Sequence, residues 1–223
     1  MPTTSLPNRS PRTLALAATA CIAAAAGAAV VPITSNASLS TEGLGAFTGT
    51  LDYTYLGGTS GKLDVTLTNT TAASIGGFIT AFMFRTSEQY GLVSASLTAS
   101  DHAAMTNILA GTSGSPFPGS WIGGAGTGGS WLAGGSPNGG VAIGSTGHWS
   151  FSITSANASI LTSDAFVSGD LISDSYAFVV RFRGMEQQPG GADSDKVPAN
   201  QLPAPGAAAL IGLSGLLVRR RRA

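Results

Sequence analysis

The chain has 223 residues, of which 10% are charged and 43% hydrophobic, with 31 glycines, one cysteine and a formal net charge of zero. That composition excludes a charge-rich disordered chain and a basic nucleic-acid binder, and a single cysteine excludes an internal disulfide framework or a multi-thiolate metal site. The zero balance averages unlike parts, because four of the basic residues are Arg219, Arg220, Arg221 and Arg222.

In chain order, the first segment has the three parts of a secretory signal peptide. A basic stretch holds Arg9 and Arg12, an apolar stretch runs from Leu14 to Val31, and small residues stand at two cleavage points, after Ala28 or after Ala37. The composition turns polar and strand-like beyond the second point, so residues 1–37 are read as the leader. Cys21 lies inside it, which leaves the mature chain without a thiol. Between Ser38 and Gln201 stand five basic and all eleven acidic residues. The resulting charge of about −6 favours solubility and argues against nucleic acid or anionic lipid as a partner of the body.

The body, residues 38–188, alternates with period two. Strands are expected over Phe47 to Leu56, Lys62 to Thr71, Gly76 to Arg85, Leu92 to Ala99, His148 to Thr154 and Ser175 to Met185. In the second, Leu63, Val65 and Leu67 share one face, and Asp64, Thr66 and Thr68 the other. Asp101 to Ala110 carries helix signals, with Asp101 as N-cap, an apolar face of Ala104, Met105, Ile108 and Leu109, and Gly111 as terminator. Gly111 to Gly147 is about one third glycine and is read as a long surface loop with short strand pieces, tied down by Trp121 and Trp131. Residues 189–201 read as a linker. Six strands and one short helix predict a mainly β domain, an antiparallel β-sandwich of jelly-roll or immunoglobulin-like topology. The stretch "LDVTLTNTTAASIGGF" loosely resembles adhesion-type immunoglobulin-like modules of bacterial surfaces.

Candidate chemistry is sparse. Gly124 to Gly129 fits G-x-G-x-x-G but lacks the strand before and helix after that a dinucleotide needs. His102 and His148 are separate in sequence, and no nucleophile elbow accompanies the serines. Asp193 and Asp195 offer oxygen ligands of the kind calcium takes, too few for a site by themselves. Asn69 and Asn157 fit the glycosylation pattern. Trp121 and Trp131 are the candidate sugar-stacking residues, and no catalytic residue or cofactor is expected.

The last segment, residues 202–223, joins Pro203-Ala204-Pro205-Gly206 to an uncharged run from Ala207 to Val218 and then to the four arginines. As a helix the run spans about 18 Å, short of the ~30 Å hydrocarbon core. Arginines hold the end on the cytoplasmic side, so the body faces outward. Proline box, weak apolar span and terminal arginine cluster, in that order, resemble the PEP-CTERM sorting signal, with Ala204 where the family usually has glutamate. The resemblance implies transient anchoring in the inner membrane, cutting near the box by an integral-membrane exosortase, and delivery to the cell surface or matrix. The expected function is therefore a non-enzymatic role in adhesion or structure with exopolysaccharide. A secreted polysaccharide hydrolase and an ordinary C-terminally anchored surface protein are the alternatives.

Overall fold

The computed structural model describes residues 29–132, 135–168, 176–186 and 193–201. Cys21, the leader's basic stretch, its apolar stretch up to Ala28 and the whole sorting segment lie outside the described residues. The strands are β1 (Val31–Ser35), β2 (Phe47–Gly57), β3 (Ser60–Asn69), β4 (Gly76–Phe84), β5 (Val93–Ser100) and β6 (Met105–Ile108). They continue with β7 (Gly123–Thr127), β8 (Val141–Ala142), β9 (Thr146–Ser155), β10 (Phe178–Met185) and β11 (Ser194–Gln201). The protein is mainly antiparallel β, and the six strands expected from alternation are β2, β3, β4, β5, β9 and β10.

Hydrogen bonding runs in one path, β5-β9-β3-β2-β1-β11-β10-β4-β7-β6, with β8 added to β4. The path folds over at the β1–β11 pair, where Ile33 faces Gln201 and Ser35 faces Ala199. The result is a first sheet (β5, β9, β3, β2, β1) packed on a second (β11, β10, β4, β7, β6). An immunoglobulin-like sandwich keeps separate sheets of four and three strands; here the first and last strands join the two. The free edges also approach, since the Leu97 amide of β5 donates to Asn107 Oδ1 of β6 at 2.8 Å.

The core between the sheets follows from the alternation. Leu63, Val65 and Leu67 of β3 and Trp149, Phe151 and Ile153 of β9 point inward and meet Phe82, Phe84, Phe178 and Val180 of the second sheet. The Phe82 ring lies 4.8 Å from Trp149 and the Phe84 ring 4.9 Å from Phe151, both edge-on, a favourable arrangement for aromatic quadrupoles.

Three expectations are corrected. The helix over Asp101 to Ala110 is instead a turn followed by β6, with Met105 facing Thr127 and Ile108 facing Gly124 of β7. A helix this short is marginal alone, and pairing with β7 satisfies the backbone while Met105 and Ile108 are buried. Asp101 caps no helix; its Oδ1 accepts from the His148 amide at 2.9 Å. Of the linker read over 189–201, residues 189–192 lie outside the described residues, and Ser194–Gln201 is instead β11, paired with both β1 and β10. Its inward positions are Asp195, Val197 and Ala199, only two of them apolar, and Pro198 masks the pattern further. Val31–Ser35, placed in the leader by a boundary at residue 37, is β1, with Val31 and Ile33 buried.

Candidate functional site

The two sheets have unlike outer faces. The outer face of the second is covered by the glycine-rich segment, whose Phe117, Trp121 and Trp131 form a second apolar cluster with Ala81, Met83, Ile108 and Val179. Trp121 and Trp131 are therefore not surface stacking platforms: they are 1% and 0% exposed. The Trp131 indole donates to the Ser115 carbonyl at 3.0 Å, and Arg181 Nη1 donates to the Trp131 carbonyl at 2.5 Å. Burial, with the nearby Arg183 charge, lowers the Arg181 pKa. The Arg85 guanidinium sits 5.7 Å from the Trp121 ring centre, within cation–π range. Beneath this cover, and paired within the second sheet to β4 and β6, runs β7, Gly123–Thr127, buried throughout. A Cβ at Gly124 would stand 2.1 Å from the Phe82 carbonyl oxygen, so glycine there permits the close approach of backbones. That packing, not phosphate binding, accounts for the G-x-G-x-x-G match.

Asp195 is fully buried at the start of β11 and is surrounded by donors. Its oxygens accept from the Ser40 and Thr41 hydroxyls and from the amides of Glu42, Leu44, Gly45 and Lys196, at 2.7 to 3.0 Å. Burial pushes the carboxyl up, but the bonds from Gly45, Ser40, Leu44 and Thr41 outweigh it and hold its pKa below the ordinary carboxylate value. A cation at this carboxylate would face N–H and O–H protons, so Asp195 is not a calcium ligand; it pins residues 40–45 to β11. Asp193 stands exposed, and no group of three or more His, Cys, Asp or Glu capable of holding a metal occurs among the described residues. Asn69 is buried and its amide donates to the Gly77 and Val141 carbonyls, so it is no glycosylation acceptor in the fold.

The outer face of the first sheet is rich in hydroxyls, and no segment among the described residues covers it. The outward alternation places Thr48, Thr50 and Thr54 on β2, Thr66 and Thr68 on β3, Ser150, Ser152 and Thr154 on β9, and Ser94, Ser96 and Thr98 on β5. Register aligns them in rows across the strands: Thr50 faces Thr66, which faces His148, and Lys62 faces Ser152, which faces Ser96. Lateral bonds order the rows. Thr68 and Thr146 hydroxyls are 2.8 Å apart, Thr66 Oγ1 and His148 Nδ1 3.2 Å, and the Ser150 hydroxyl donates to Asp64 Oδ1 at 2.5 Å.

At the centre of this face the fold brings Asp52 opposite Asp64. Lys62 Nζ lies 2.7 Å from Asp64 Oδ2, and the hydrogen bond it donates to Asp64, then the charge of Asp64 and that of Asp52, raise the Lys62 pKa. Sequence reasoning placed Asp64, Thr66 and Thr68 on one face but did not join them to Asp52 or to β9, because register is a tertiary property. The histidines come to one corner as well: His102 stacks on Trp149 at 5.8 Å, and the Asp101 amide donates to the His148 carbonyl at 3.2 Å. An open, mostly apolar groove of about 660 Å³ lies elsewhere, between Tyr90–Ser94 and Thr154–Asn157.

No protein-family profile and no curated protein matches the chain. Among solved structures the chain is similar, at a TM-score of 0.32 and 11% identity, to a biomass-sensing module from an Rsgi-like protein of Clostridium thermocellum, described as resembling the family 3 carbohydrate-binding module of the cellulosome. The match covers 73% of this chain and 99% of the other. Among the described residues no helix is long and apolar enough to cross a membrane.

Proposed function

We propose that the protein is exported, held briefly in the inner membrane by its C-terminal segment, released by an exosortase-type enzyme, and then associates without catalysis with exopolysaccharide. The carrying observation is the first-sheet outer face, hydroxyl-rich and laterally hydrogen-bonded. A polymer of sugar hydroxyls meets there donors and acceptors already fixed in rows whose members stand about 4.8 Å apart. Each hydrogen bond contributes only about 0.5–1.5 kcal/mol net, so useful affinity comes from many contacts along one chain. The contact surface expected at Trp121 and Trp131 thus moves to the opposite side of the sandwich.

The limits of the fold support the processing scheme. β1 begins at Val31 and β11 ends at Gln201, so cleavage after Ala28 and within Pro203 to Gly206 would leave every described strand intact. Cleavage after Ala37 would remove the strand that joins the sheets. The test is affinity electrophoresis through gels containing the host's exopolysaccharide, with mass spectrometry of the mature chain. Retention should fall in a Thr66→Val, Thr68→Val, Ser152→Ala triple variant, and the mature N-terminus should be Ala29. Undiminished retention by the triple variant would falsify the contact face, new reducing ends would point to hydrolysis, and a surface-delivered C-terminus still carrying Arg219 to Arg222 would refute the sorting scheme.

A further inference from the structure

The strands fix which end of the sandwich the tail leaves from. The β2–β3 hairpin closes at Gly57 and Ser60. Val31 faces Leu51 in the antiparallel β1–β2 pair, so the chain arrives from the hairpin side. Gln201 faces Ile33 in the antiparallel β1–β11 pair, so the chain departs toward that same side. β9 ends and β5 begins there too, with Ser60 facing Thr154 and Val93 facing Ser155. Chain arrival, chain departure and hairpin therefore share one end.

That end is also where large apolar side chains stand in solvent. Leu92 is 96% exposed and Leu56 63%, with Ile160, Val30 and Tyr55 at 59%, 52% and 45%. Leu92 borders the open apolar groove of Tyr90–Ser94 and Thr154–Asn157. Isolated exposed leucines are ordinary on a protein surface; several on one tip, beside both chain termini of a domain, are a patch that marks a contact. The five residues Leu202 to Gly206, even fully extended, reach at most about 17 Å. When Ala207 to Val218 lies in a bilayer, the tip is therefore held next to the headgroups.

We infer that this tip is a membrane-contacting surface, with Leu92 and Leu56 entering the interface of the leaflet in which the C-terminal segment sits. The inference rests on the transient anchoring proposed above. Apolar burial seats the tip: the acidic group beside Leu92 is the exposed Glu88, and the body is net negative, so contact does not depend on anionic lipid. The tip adds hold to a span too short to grip well alone, and it keeps the proline box at the membrane surface where an integral-membrane enzyme works.

The test uses the chain from Ala29 onward, which contains no cysteine. Single substitutions Leu92→Cys, Leu216→Cys and Ala73→Cys are labelled with bimane and reconstituted in zwitterionic phosphatidylcholine vesicles carrying doxyl-lipid quencher. Ala73 lies in the exposed β3–β4 connection at the far end, and Leu216 reports the tail. Quenching at Leu92 should exceed that at Ala73 by about two-fold or more and persist in high salt. Quenching at Leu216 with none at Leu92 overturns the tip contact and leaves anchoring standing; none at either overturns both. Equal quenching at Leu92 and Ala73 shows unspecific adsorption and overturns the inference, whereas quenching at Leu92 without Leu216 upholds lipid contact and refutes the anchor.

Discussion

The two outer faces of the sandwich carry opposite solutions to the same geometry. On the second sheet, outward positions such as Ala81, Met83 and Val179 are apolar, and glycine-rich chain on either side of β7 folds back to cover them with Phe117, Trp121 and Trp131. On the first sheet, outward positions are threonine, serine, aspartate and lysine, and among the described residues no segment covers them. The covered face contributes stability and the bare one remains available to a partner. Aromatic residues, which invite a reading as sugar platforms, mark the covered side. Plain threonines mark the available one.

This contrast is broken most directly by removing an indole from the covered side. Trp131→Ala should cost about 3–5 kcal/mol, the usual loss for truncating a fully buried aromatic. The measurement is urea unfolding, and exopolysaccharide retention of the molecules still folded should be unchanged. A variant that keeps its stability but loses retention would return the contact face to the tryptophans.

The seam between the sheets comes next. Asp195→Ala leaves the amides of Leu44 and Gly45 and the hydroxyl of Thr41 without their acceptor, and an expected loss of about 3 kcal/mol follows from a few buried donors left unpaired. Because the folded carboxyl has a lowered pKa, its stabilisation is present above the unfolded carboxylate value and is lost as pH falls through the lower folded value. Parent protein should therefore lose stability in acid along a slope that Asp195→Asn flattens, as read from urea midpoints across that window.

Legibility in the sequence followed chemistry. β2, β3 and β9 were readable because their inward residues are large and apolar and their outward residues polar, so period two stood out. β11 has the same period, but a buried carboxylate fills one inward position, and a residue that is stable inside only because a distant loop supplies donors cannot be read as core. β7 was hidden by its glycines, which serve close packing and carry no hydrophobic signal. β6 is a case of tertiary pairing overriding local helix signals. Of the candidate face, the threonine rows of single strands were visible, while the Asp52–Asp64 pairing and the alignment with β9 required register.

The smallest expected effect on stability is the sharpest test of the contrast. Lys62 and Asp64 form an exposed ion pair, and such pairs contribute about 0.2–1 kcal/mol. Lys62→Met should therefore change the unfolding midpoint little, less still in high salt, while leaving Asp52 and Asp64 opposed without their cation. Two carboxylates facing each other on the bare sheet repel an acidic polysaccharide and are indifferent to a neutral one. Retention should consequently fall on acidic exopolysaccharide, recover with added salt, and stay level on a neutral glucan. Equal loss on both polymers would mean that Lys62 donates a hydrogen bond to sugar hydroxyls and is part of the contact itself; no change on either would move the polymer off the centre of the face and toward the β5 and β9 rows of Ser96, Ser152 and Thr154.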